Sequence, residues 1–118
     1  MPLDRSGVVY MLVSSVDGGS MYIGCTQNMP RHLNQHNSGI GSKESVPIER
    51  RPWGLYAYVT GFGRDRTLMA RVERHWQSAV QSVGPPNPRE AIHILNRIIQ
   101  VHYPKMEYNF LVCLADEE

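Results

Sequence analysis

Cysteine, phenylalanine, tryptophan, long apolar runs and net charge are all scarce in this sequence of 118 residues, and each scarcity excludes something. Two cysteines, Cys25 and Cys113, without a CxxC spacing, exclude a disulfide framework and a cysteine-rich zinc site. Both read as small buried apolar residues. No apolar stretch approaches the roughly 20 residues that span a bilayer, and the opening MPLDRSG lacks the charged-then-apolar layout of a signal peptide. The chain therefore reads as soluble and intracellular, nuclear or cytoplasmic, with no membrane partner. A formal net charge of only +1 excludes a protein that coats nucleic acid by bulk electrostatics.

What is present fits one mixed domain over residues 1–118, because an apolar content of 42% at this length supports a single core and not two. Gly7 to Val13 is a short β-branched apolar run, and Asp17-Gly18-Gly19 is a turn signal before Met21 to Cys25, so the two runs predict a hairpin. Period-two alternation puts Val8, Tyr10 and Leu12 on one face and Tyr22 with Gly24 on one face, so Tyr10 and Tyr22 meet where register permits. Gly24 beside them leaves a hollow for a closely approaching group. Asn28, with Pro30 in the first turn, starts a helix running to about Asn37 that sets His32 and His36 on one face. A glycine-rich basic loop follows, then a third strand from Trp53 to Thr60, alternating Leu55, Ala57 and Val59 against Tyr56, Tyr58 and Thr60.

Thr67 to about Val80 is amphipathic, with Met69, Trp76 and Val80 in one stripe and Glu73 about 40° from Met69 within it. A carboxylate on an apolar face is normally paired with an arginine, protonated, or bound to a cation. Pro85-Pro86-Asn87-Pro88 breaks the chain. A helix from Arg89 to His102, with Ile92, Leu95 and Ile99 inward, and a last strand from Tyr108 to Leu114 complete it. Charge is unevenly placed: eight basic residues between Gln27 and His75 (Arg31, Lys43, Arg50, Arg51, Arg64, Arg66, Arg71, Arg74) face four acids (Glu44, Glu49, Asp65, Glu73). Lys43, Arg50, Arg51, Arg64, Arg66, Arg71 and Arg74 are candidate phosphate contacts, and their spacing carries no base-reading code.

Val8-Val9-Tyr10, the intact Tyr22-Ile23-Gly24, and the blocks YIGCTQNMPRHLNQHNSG, RPWGLYAYVTGF and ARVERHWQ resemble the GIY-YIG nuclease superfamily. Within it they are most similar to the nuclease subunits of eukaryotic structure-selective endonucleases that cleave branched DNA. The resemblance covers about residues 7–80, and more weakly the terminal helix and strand at 89–114. It implies an α/β (α+β) fold with a small three-stranded, mainly antiparallel sheet flanked by helices. It also implies hydrolysis of DNA phosphodiesters with Mg²⁺ or Mn²⁺, a branched or flap DNA substrate, and a scaffold protein as partner. Carried over by position, it makes Tyr10, Tyr22 and His36 site residues and Glu73 the metal ligand, and it aligns Asn109 with a late asparagine of some members.

The chemistry is consistent with those types. Hydrolysis needs an activated or oriented water, a cation to absorb charge on phosphate oxygens, and a donor near the leaving oxygen. One carboxylate suffices for Mg²⁺, which keeps several waters and takes other ligands from the phosphate. Tyr10 is assigned to the water, and Tyr22 and His36 to the phosphate or leaving oxygen, with the tyrosine roles exchangeable. One position departs: the family arginine falls ten residues after Tyr22, where this chain has His32, beside Arg31. His32 acts as a protonated substitute, Arg31 swings in from about 100° around the helix, or cleavage is weakened. The alternatives are a nuclease-like module that binds DNA without cutting, a zinc site on His32 and His36, and a plain interaction domain.

Overall fold

The run Val8–Ser14 forms strand β1, and its alternating side chains leave neither face polar, so both faces of the sheet are covered at this strand. It lies in the interior of a four-stranded antiparallel sheet of order β2-β1-β3-β4, with β2 at Met21–Thr26, β3 at Trp53–Thr60 and β4 at Leu111–Leu114. Helices α1 (Arg66–Ser82) and α2 (Pro88–His102) fall between β3 and β4. This is a computed structural model, and it describes residues 7–16, 20–28, 37, 52–84 and 87–115. The expected turn at Asp17-Gly18-Gly19, the helix carrying Arg31, His32 and His36, and the basic loop with Lys43, Arg50 and Arg51 lie outside the described residues.

The α+β architecture matches the expectation, and the C-terminal strand joins the sheet as its fourth member by pairing Leu111 with Thr60 through Leu114 with Ala57. Alternation in β3 is interrupted, however. Met11 pairs with Ala57 and Leu12 with Leu55, so one extra residue, Tyr56, is accommodated opposite β1 as a bulge. Leu55 is thereby moved off the face of Ala57 and Val59 and onto that of Tyr10, Leu12 and Tyr58, which corrects the simple alternation. A bulge is a tertiary pairing event and leaves no mark on local period.

The sheet has a core on each face. On one, Val9, Met11, Ile23 and Val59 pack against Met69, Val72 and Trp76 of α1 and Ala91, Leu95 and Ile98 of α2. On the other, Tyr10, Leu12 and Trp53 are buried together with Tyr22, Leu55 and Tyr58 packed around them. α1 starts one residue earlier than expected because the Asp65 carboxylate caps it, accepting from the Leu68 amide at 2.9 Å. Asn87 and Glu90 form a reciprocal capping box that starts α2 at Pro88. Its inward residues are Ala91, Leu95 and Ile98, with Ile92 and Ile99 flanking and half-buried, a rotation of about one residue from the expected stripe. Trp76, fully buried, ties the two helices by donating its indole N–H to the Ala91 carbonyl at 3.0 Å.

Candidate active site

Antiparallel pairing sets Tyr10 opposite Gly24 and Leu12 opposite Tyr22, so both tyrosines stand on the face away from α1, as alternation predicts. Their ring centroids are 6.3 Å apart and the rings tilt by 43°. The hollow at Gly24 is filled by them. A Cβ there would sit 2.7 Å from the Tyr10 hydroxyl oxygen, 2.9 Å from its Cζ and 2.9 Å from Tyr22 Cε2. Glycine at this position is therefore what lets the two phenols close over the edge strand. Tyr10 is entirely buried, whereas Tyr22 is half-buried and reaches the surface.

Glu73 reaches the same strand from the other side. It projects from α1, which packs on the opposite face, and its carboxylate is pinned by two neutral donors. Cys25 Sγ donates to Oε1 at 3.1 Å, and Gln77 Nε2 to Oε2 at 3.1 Å. The Gln77 amide nitrogen also donates to the Ile23 main-chain carbonyl at 2.8 Å, which ties α1 to the edge strand β2. The acid and the phenols thus meet β2 at neighbouring residues, and the Glu73 charge is felt at the Tyr10 phenol. Glu73 closes on Cys25 and the tyrosines on Gly24, adjacent residues of an edge strand. Among the described residues the carboxylate meets no guanidinium, and its described partners are the Cys25 thiol and the Gln77 amide.

These neighbours set the ionisation of the site. Burial pushes the Tyr10 phenol well above its ordinary range, and the adjacent Tyr22, Cys25 and Glu73 add to the rise. Tyr10 is a neutral phenol as the protein stands. The Cys25 thiol is pushed up to about 12, by burial first and then by its hydrogen bond to Glu73 and the charge of that carboxylate. It is therefore a proton donor to Glu73 and not a thiolate. Cys25 and Cys113 are free and half-buried, so the reading of both as buried apolar residues is corrected, and Cys25 acts as a polar partner.

Cys25 and Gln77 were not singled out by sequence reasoning. The signal for Gln77 was its i+4 spacing from Glu73 on one helix face. For Cys25 there was none, because its contact spans 48 residues. Asn37 is a second omission: its side-chain amide donates to the Trp53 carbonyl at 3.1 Å and accepts from the Trp53 amide, pinning the start of β3. Asn109, aligned with a late family asparagine, precedes β4, the edge strand opposite β2, and its main-chain carbonyl lies against Gly61.

The four candidate phosphate-contact arginines that are described, Arg64, Arg66, Arg71 and Arg74, do not make one surface. All four are exposed. Arg66 lies two turns before Glu73 on its side of α1 and donates to Gln27 Oε1 at 3.0 Å, beyond the end of β2. Arg71 and Arg74 point elsewhere, lining a hollow with His75, Ser78, His102 and Tyr103. Arg64 stands before the helix cap. No helix is long and apolar enough to cross a membrane among the described residues, and none of their His, Cys, Asp and Glu side chains form a group of three or more.

Comparison with known proteins agrees with this geometry. Residues 6–87 match the GIY-YIG catalytic domain. The chain is 34% identical over 95 residues to a structure-specific endonuclease subunit SLX1 of Podospora anserina, covering 79% of this chain and 25% of that protein. It is 32% identical over 95 residues to the protein of the same description from Neurospora crassa, covering 79% and 21%. With that of Aspergillus terreus it shares 37% identity over 90 residues, covering 72% and 23%. The chain thus spans about a quarter of the length of these relatives. With the family match over more than half its length and both tyrosines of the two motifs meeting at Gly24, this chain belongs to the GIY-YIG family.

Proposed function

We infer that the chain is a metal-dependent endonuclease that hydrolyses phosphodiesters in branched or flap DNA. The observation that carries this reading is the convergence of Tyr10, Tyr22 and Glu73 on Gly24 and Cys25, with Glu73 held by neutral donors alone among the described residues. A carboxylate that is fixed in place, half-buried and unneutralised by its described neighbours is suited to a cation. A single carboxylate, with no cluster of three His, Cys, Asp or Glu among the described residues, fits Mg²⁺ or Mn²⁺, which retain waters and take substrate phosphate oxygens, better than it fits zinc.

Glu73 would hold that ion, which supplies charge stabilisation to the phosphate oxygens. Exposure favours Tyr22 over Tyr10 as the phenol that meets the attacking water or the phosphate. Tyr10, buried and neutral, packs beside the Tyr22 ring and holds it in place. Positive charge at Glu73 would offset that carboxylate's part in raising the Tyr10 pKa and leave the larger part, burial, unchanged. Arg31 or His32 would supply the charge that the family arginine supplies, and His36 a hydrogen bond to phosphate. The names of the relatives support a structure-specific substrate and a partner subunit, and a scaffold protein is proposed for this chain on that ground.

Incubation with labelled flaps, four-way junctions and linear duplex of matched sequence tests the reading. Cleavage of the branched forms in Mg²⁺ or Mn²⁺, lost in chelator and restored by the metal, is expected. Tight binding without cleavage in either metal would instead support the binding-only module. Restoring arginine at the departing position, His32→Arg, is expected to raise the cleavage rate by about tenfold, because arginine is permanently charged and histidine is mostly neutral at pH 7. An unchanged rate in an already active protein would remove position 32 from the catalytic set.

A further inference from the structure

The face of α1 turned away from Glu73 carries a second basic site. Arg71, Arg74, His75 and Ser78 lie about 100° to 200° around the helix from Glu73. With His102 and Tyr103 at the end of α2 they line an open hollow of about 600 Å³. No acid lines it. The rings inside it are ordered: His75 and His102 are 4.6 Å apart, His75 Nδ1 is 3.5 Å from the Tyr103 hydroxyl, and Tyr103 is itself buried against Tyr108 and Phe110. Burial and the neighbouring His102 hold His75 below the ordinary histidine range. Permanent charge at neutral pH therefore comes from the two guanidiniums, and the imidazoles, the hydroxyls of Ser78 and Tyr103 and the stacked rings supply donors and shape.

We propose that this hollow binds backbone phosphates of a second DNA arm while a first arm occupies the tyrosine and Glu73 site. Two guanidiniums beside hydroxyl and imidazole donors, with no carboxylate among the lining residues, are a donor set for a phosphodiester oxyanion. The placement selects for branching. Arg71 and Glu73 stand on opposite sides of one helix, a cylinder about 10 Å across, so the two sites look in diverging directions. A straight duplex seated on one of them runs away from the other. A junction or flap sends a second arm around the helix and engages both, so shape is read without base contacts. This rests on the nuclease reading only for the identity of the first site.

The test uses binding alone, in a Glu73→Gln background so that nothing is cut. Affinity is measured for a four-way junction and for a linear duplex of matched sequence across a salt series. Adding R71Q and R74Q is expected to weaken junction binding by about tenfold near 0.1 M salt and to flatten its salt slope by about two, with duplex binding changed less than about twofold. The pair R71K and R74K keeps most of the junction affinity, because charge is retained. Equal losses on junction and duplex, or no loss on either, overturn the proposal. So does saturable binding of inorganic phosphate, followed through the His75 ring resonances, with no effect on the junction, since the hollow would then be a site for free phosphate. A protein that prefers junctions through these arginines but cuts no DNA in the Glu73 form sinks the nuclease reading and leaves this one standing.

Discussion

Glu73→Gln is expected to abolish cleavage, with a loss of about 10³-fold or more in single-turnover rate, the scale on which phosphoryl-transfer sites respond to losing one charged group. Shape is kept and one negative charge is removed. Glutamine still offers an oxygen to Cys25 Sγ or Gln77 Nε2, though its own amide group opposes one of those donors, so folding should suffer by only about 1 kcal/mol. Affinity for branched DNA should stay within about threefold, because the arginines that supply attraction are untouched. Single-turnover cleavage of end-labelled flap, with melting and binding measured on the same preparation, separates these effects. A residual rate within tenfold of the parent would show that the carboxylate is structural.

Gly24→Ala should disable the site from the opposite side. The added methyl would lie 2.7 Å from the Tyr10 hydroxyl and 2.9 Å from Tyr22 Cε2, closer than carbon approaches such atoms. Tyr10 has no route of retreat, being fully buried among Leu12, Trp53 and Tyr58. Displacement therefore falls on the more exposed Tyr22 or on the edge strand itself, which also carries Cys25 and, through it, Glu73. Overpacking of this kind costs about 1–3 kcal/mol in stability. The cleavage loss should be larger, about 10²-fold, since a misplacement near 1 Å is costly to a site that works by positioning. Gly54→Ala is the control: also within a strand, it would meet only the Val13 carbonyl at 3.9 Å, an ordinary contact, and should leave both quantities near the parent. Equal behaviour of the two variants would mean that the crowding at Gly24 relaxes without consequence.

Both experiments probe a site whose parts differ in how visible they are in the sequence. Tyr10, Tyr22 and Gly24 were legible as partners because pairing across a hairpin preserves period two, and steric alternation along a strand is a property of neighbouring residues. Glu73 was legible as an anomaly, an acid in the stripe of Met69 and Trp76, because helical period is equally local. The helix starts were legible to within one residue from period alone, and the caps at Asp65 and Asn87, which act within three residues, set each start one residue earlier.

What the sequence determined by itself is therefore the set of elements, the shared face of the two phenols and the oddity of Glu73. The tertiary structure alone decided the rest. It chose the face of the sheet on which α1 packs, so that Glu73 meets β2 at Cys25 while the tyrosines meet it at Gly24. It gave Glu73 the partners Cys25 and Gln77, inserted Tyr56 as a bulge that moves Leu55 to the other face, and set Arg71 and Arg74 beside the end of α2 instead of beside Arg66. Short-range sterics write a period into the chain. Which surfaces are then pressed together depends on burial between residues distant in sequence, and no local pattern encodes that.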